Sequence, residues 1–200
     1  GTALPNVRKK SLSKLPAKVI ADRHRKTAVL QTVKKGLTMK IVLHEPGIAL
    51  NTGNIGRTCV ATDTELHLIR PYGFRINEKE IKRAGMDYWK DVKLYEYIDY
   101  DDFQSRNPGA RVYYATTKAR HVYTDIHYEP DCFIMFGNES RGIPEEILIE
   151  HPDTCIRIPM WGETRSLNLA NSAAIILYEA LRQQGFPGFK ETGELHRLHW

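Results

Sequence analysis

Cysteine is scarce in this chain: Cys59, Cys132 and Cys155 are widely spaced, odd in number and form no Cys-x-x-Cys pair. That counts against a disulfide framework and a structural zinc site, and the three thiols read as reduced, small hydrophobic residues. Long apolar runs are missing too. Nothing approaches the roughly 20 residues of a membrane-spanning helix, and no charged start leads into an apolar secretory segment, so the expected setting is the cytoplasm. Neither the G-x-G-x-x-G turn of dinucleotide-binding folds nor the G-x-x-x-x-G-K-[ST] phosphate loop occurs, which weighs against a nucleotide-dependent enzyme on an ordinary doubly wound sheet. His196 and His199 form an H-x-x-H pair without further ligands, and no metal is expected there.

What is present divides unevenly. Of 200 residues, 42% are hydrophobic, enough for one domain with a substantial core. The net charge of +5 is concentrated at the start: residues 1–38 hold ten Lys or Arg and one acid, a balance of +9, whereas 39–200 hold 19 basic and 23 acidic residues, a balance of −4. Residues 1–38 are expected to be a basic extension, read as an RNA-binding tail, an organellar transit sequence or a segment preceding a start at Met39. Residues 39–200 form the expected domain.

Within that domain, Lys40–His44 and Leu66–Ile69 read as strands around a helix over Ile55–Thr62, with Asn51-Thr52-Gly53-Asn54 supplying turn and cap chemistry before it. Further strands are expected at Val92–Tyr95, Val112–Ala115, Cys132–Phe136 and Cys155–Ile158. Helices are expected near Glu78–Ala84, Tyr100–Arg106, Pro144–Glu150 and Leu167–Gln184. Alternating strands and helices imply an α/β fold with a mainly parallel sheet flanked by helices. Ligand sites in such sheets gather at the carboxyl ends of the strands. Three loops there are polar and glycine-rich: Asn51–Arg57, Phe136–Pro144, and Ile156–Met160 continuing through Arg165–Asn171. Taken singly, their residues could be turn glycines, a solvated ion pair and helix caps.

Taken together and in order, N-T-G-N-I-x-R, F-G-x-E-x-R-G-x-P and R-S-L-N-L-x-N resemble the three motifs of the SPOUT RNA methyltransferases over about residues 39–190. Leu68–Phe74 and Arg83–Trp89 make the likeness greatest to the TrmL type, the tRNA wobble-position 2′-O-methyltransferases. The resemblance implies a C-terminal trefoil knot, S-adenosylmethionine as cofactor, and a homodimer acting on the anticodon stem-loop. It implies cofactor contacts from Ala115, Gly137, Ile158, Ser166 and Leu167. It places Arg57 nearest the ribose hydroxyl, with Asn51, Glu139, Ser166 and Asn168 orienting it, the ribose or the first loop, and Tyr178 approaching from the final helix. A guanidinium lacks an acceptor lone pair, so anchoring of phosphate and stabilisation of the 2′-oxygen suit Arg57 better than proton abstraction. Arg57, Lys79, Lys82, Arg83, Arg141 and Arg165 are the candidate RNA contacts, with Tyr88 and Trp89 either stacking on bases or, for Trp89, packing inward. Methylation of rRNA and a non-catalytic knotted RNA-binding or ribosome-assembly role are the alternatives.

Overall fold

The computed structural model describes residues 38–74 and 87–200. Residues 1–37 of the expected extension, and the expected helix near Glu78–Ala84 with Lys79, Lys82 and Arg83, lie outside them. Strands form where β-branched and aromatic residues run together: Lys40–His44 (β1), Glu65–Ile69 (β2), Leu94–Tyr97 (β3), Val112–Ala115 (β4), His121–Val122 (β5), Phe133–Phe136 (β6) and Cys155–Arg157 (β7). Among the described residues they build one sheet in the order β3-β2-β1-β6-β4-β7-β5, with every pairing parallel. Parallel neighbours require crossovers, and helices Ala49–Ala61 (α1), Tyr100–Arg106 (α2), Glu145–Ile149 (α3) and Leu169–Gln183 (α4) lie within them or follow the sheet.

Side-chain alternation along the strands divides the core. Ile41, Leu43, Leu66, Leu68, Ile134 and Phe136 pack with Ile55 and Cys59 of α1 and Ile176 and Leu177 of α4. Val42, Ile69, Phe133 and Met135 pack with Phe103 of α2 and Leu148 of α3. Both faces of the sheet are thus covered, and each fully buried aliphatic side chain contributes about 1.5–3 kcal/mol. The three cysteines are free and buried. Burial pushes the thiols of Cys59 and Cys132 up to about 12, which keeps them neutral hydrophobes.

Two boundaries shift notably from the sequence reading, and one strand is added. Helix α1 begins at Ala49 rather than Ile55, so Asn51–Asn54 are helical and not a loop. Local chemistry favours a turn there, but tertiary contacts override it: the Tyr88 hydroxyl donates to the Gly53 carbonyl at 2.9 Å, and Gly56 leaves room for the Trp89 ring, which a Cβ would meet at 2.8 Å. The third strand starts at Leu94 because the amide of Val92 closes a turn onto the Trp89 carbonyl at 3.1 Å. The two-residue strand β5 is an addition, too short to carry a periodic signal.

His67 on β2 is buried. It faces the Tyr97 hydroxyl through Nδ1 at 2.8 Å and the Glu65 carboxylate through Nε2 at 3.2 Å, and its ring stacks on Tyr95 with centroids 4.6 Å apart. Burial, helped by the charges of Lys40 and Arg106, lowers its pKa from 6.5 to about 3. The folded state therefore holds a neutral ring, whereas the unfolded chain takes up a proton below about 6.5. Stability is full above that value and falls as the pH drops towards about 3. About 2–3 kcal/mol should be lost between pH 6.5 and roughly 4.5 on this account, read from urea midpoints. His67→Phe should flatten that slope; an unchanged slope would remove His67 from the explanation.

Candidate active site

Because every strand runs the same way, the loops after β1, β4, β6 and β7 open at one end of the sheet. They line a cavity of about 780 Å³. Its walls include Ile48 and Asn51 from the β1–α1 region, Ala115 to Lys118 after β4, Phe136 to Ile143 around the β6 loop, and Ile158, Met160 and Arg165 to Leu169 after β7.

One carboxylate holds these loops in register. Glu139 accepts from the backbone amide of Gly47 at 2.8 Å, from that of Ile48 at 3.2 Å and from Asn51 Nδ2 at 2.9 Å. Ile48 is the N-cap position of α1 and its own side chain makes no capping bond, so a residue from another loop satisfies amides at the helix entrance. Asn51, 6% exposed, uses its other end to accept from Asn168 Nδ2 at 3.0 Å. Asn168 then caps α4, its Oδ1 accepting from the amides of Ala170 at 2.9 Å and Asn171 at 3.3 Å. Beside them Asn138 donates to the Glu45 carbonyl at 2.8 Å and accepts from the amides of Ser140 and Arg141, while Arg141 pairs with Glu45 at 2.8 Å.

Ala115, Gly137, Ile158, Ser166 and Leu167, the residues expected around the cofactor, all line this cavity. Gly137 has a further reason to be glycine. A Cβ there would lie 2.1 Å from the Gly142 carbonyl carbon and 2.2 Å from the Ile143 nitrogen, so the β6 loop closes on itself at that point. Asn51, Glu139 and Asn168 meet as a clamp between loops: Glu139 is occupied by two backbone amides and Asn51, and is not bonded to Arg57. Arg141 and Arg165 line the cavity.

Arg57 does not line this chain's cavity. It is exposed on α1, its guanidinium 5.0 Å from the centre of the Tyr88 ring. Trp89 is half-buried and packs against the core. Tyr178 points outward from α4, 45% exposed, with Phe186 as its ring neighbour at 6.3 Å. Thr116, Thr117 and Lys118 also line the cavity although they lie outside the three loops marked in the sequence. Their signal was position: all three lie in the stretch that follows β4 at its carboxyl end.

Residues 38–178 match the family model described as the SpoU rRNA methylase family. The chain belongs to this family. It is 54% identical over 149 residues to a protein from Listeria monocytogenes serotype 4b (strain F2365), covering 73% of this chain and 88% of the relative. It is 41% identical over 151 residues to the tRNA (cytidine(34)-2′-O)-methyltransferase of Escherichia coli (strain K12), covering 75% and 96%. A solved structure described as giving insight into the 2-OH methylation of C/U34 on tRNA superposes with a TM-score of 0.70 at 39% identity, over 74% of this chain and 97% of that one. The AdoMet-bound rRNA methyltransferase from Sinorhizobium meliloti superposes with a TM-score of 0.65 at 26% identity, over 74% and 57%. Family members are RNA methyltransferases, and the cavity lies at the end of the sheet where the family motifs converge.

Replacing Glu139 with Ala deletes three accepted hydrogen bonds and leaves amides at the α1 entrance unpaired. A loss of about 1–3 kcal/mol in unfolding free energy is expected, with Glu139→Gln intermediate because its amide keeps one acceptor oxygen. Urea denaturation of the two variants checks this, and an Ala variant as stable as the parent would refute the clamp.

Proposed function

We propose that the protein is a tRNA 2′-O-methyltransferase that transfers a methyl group from S-adenosylmethionine to the ribose of the wobble nucleotide, cytidine or uridine 34. The observation that carries this reading is the cavity at the carboxyl ends of β1, β4, β6 and β7, built from the loops through which the chain resembles relatives named for that reaction. Near-complete coverage of the tRNA-acting relative favours tRNA over rRNA. The intact polar clamp favours a catalyst over a knotted binding protein.

The residues present fit the cofactor. A volume of about 780 Å³ is within the range for a ligand of that size, and Ile158, Leu167 and Ile176 offer apolar surface for an adenine ring beside the backbone of Ala115 and Gly137 and the hydroxyl of Ser166. S-adenosylmethionine, when bound, supplies an electrophilic methyl group to an oxygen nucleophile. The chain's own residues align the ribose. Arg57 anchors the target phosphate and stabilises the 2′-oxygen as its proton leaves to solvent, and Tyr88 beneath it restricts where the guanidinium can point. Arg141 and Arg165 at the cavity contact neighbouring phosphates. The juxtaposition of β6, β4 and β7 around one cavity supports the trefoil knot implied by the resemblance.

A homodimer is the working unit in this reading. Arg57 lies outside its own chain's cavity, and α4 keeps Ile175 and Tyr178 exposed at 37% and 45% opposite its buried stripe, a surface suited to a second copy that brings Arg57 to the neighbouring cavity. The protein works in the cytoplasm, or in an organelle if residues 1–38 act as a transit sequence.

Mass spectrometry of tRNA nucleosides after incubation with the protein and S-adenosylmethionine should show 2′-O-methylation at position 34. Arg57→Ala should lower that transfer at least about 100-fold while leaving cofactor affinity within about twofold, as expected of a group acting on the nucleophile. Near-parental turnover would remove Arg57 from the mechanism. The shared site has its own test: Arg57→Ala mixed with Leu167→Asp, each inactive alone, should regain activity in the mixture, because one composite site of the heterodimer is intact. An active monomer in a sedimentation dilution series would overturn the dimer.

A further inference from the structure

Trp161 sits in the loop between β7 and α4, between Met160 and Arg165, which both line the cavity. It is 96% exposed. The loop around it is open: a Cβ built on the next residue, Gly162, would meet nothing within 4 Å. Indole is the largest apolar side chain, and leaving both faces in water forgoes the stabilisation that burial would bring, so its place at the lip of a working cavity calls for a partner with a flat apolar face.

The surrounding charge narrows that partner. Lys118, Arg141 and Arg165 line the same cavity. Lys118 is paired with Glu145 and Arg141 with Glu45, whereas Arg165 has no ion pair among the described residues. Glu163, exposed in the same loop, disfavours phosphate near itself, and Arg165 is the cavity-lining cation of this loop left for an anionic group. An exposed indole in the same loop as an unpaired guanidinium suits a flat, uncharged ring joined to an anionic backbone, which is the chemistry of a splayed single-stranded nucleotide.

We propose that Trp161 is a stacking platform for a nucleobase of the RNA substrate, adjacent to the nucleotide whose ribose enters the cavity. This rests on the RNA methyltransferase reading above. Stacking on an indole tolerates any base, so Trp161 contributes affinity and holds the single strand open without choosing the sequence, and Arg165 holds the phosphate beside it.

The test uses the full chain, W161A and W161F, with an anticodon stem-loop RNA as probe. W161A should raise KM for the stem-loop on the order of tenfold, with kcat and S-adenosylmethionine affinity by calorimetry both within about twofold of the parent, and W161F should recover most of the loss. The stem-loop should quench tryptophan fluorescence in the parent, and that component should be missing from W161F. An unchanged KM in W161A, or an equal quench in W161F, overturns the proposal. Loss of cofactor affinity in W161A would instead make the residue a cover for the cofactor, and dissociation in sedimentation would make it a contact with a second copy; each also overturns it. If the parent transfers no methyl group to any tRNA, the parent reading fails by itself, and the fluorescence titration with the same RNA still decides Trp161.

Discussion

The carboxylate of Glu139 carries a charge that the rest of the site is arranged around. It lies in the loop after β6, yet it meets the amides of Gly47 and Ile48 at the entrance of α1 and the side chain of Asn51 one turn inside. A helix N-terminus concentrates unpaired N–H groups and the positive end of the peptide dipoles, and an anionic acceptor there is favoured on both counts. In many helices a Ser, Thr, Asp or Asn at the N-cap serves this purpose. Here Ile48 occupies that position, so the helix entrance depends on a residue 91 positions away.

That dependence transmits order. Asn51 passes the connection to Asn168, and Asn168 caps α4, so the first turns of two helices and the loop after β6 share one hydrogen-bonded chain. Loops are ordinarily the mobile part of a parallel sheet, and a ligand must then meet the entropic cost of ordering them. Three loops bonded to each other before any ligand arrives present a wall already formed. The close approach of Gly137 to the Gly142–Ile143 backbone acts in the same direction, because it folds the β6 loop back on itself.

Arg57 is held differently. Arg57 lies on a rigid helix with Tyr88 under its guanidinium, and Tyr88 is fixed in turn by its bond to the Gly53 carbonyl. The side chain that would act on the nucleophile and the cavity that would hold the methyl donor are thus built on separate parts of the described surface. An arrangement of this kind gives cofactor binding and substrate engagement separate supports, and a second copy is the means of bringing them together that the exposed stripe of α4 suggests.

Much of the architecture was legible from the chain alone. Strands β1, β4 and β6 announced themselves as short apolar runs, α4 as a long apolar helix, and the parallel sheet as the consequence of alternation. These are local signals, readable because hydrophobic period and turn chemistry act over a few residues. The start of α1, the packing of Trp89 and the role of Glu139 were not readable. Asn51–Asn54 has the composition of a turn, and it is helical because Glu139, Tyr88 and Trp89 reach it from elsewhere in the chain. Sequence by itself determined the fold class, the family and which loops carry the site. Only the tertiary structure decided that Glu139 and Asn168 clamp the loops and that Arg57 does not line its own chain's cavity, because those outcomes depend on contacts between residues dozens of positions apart.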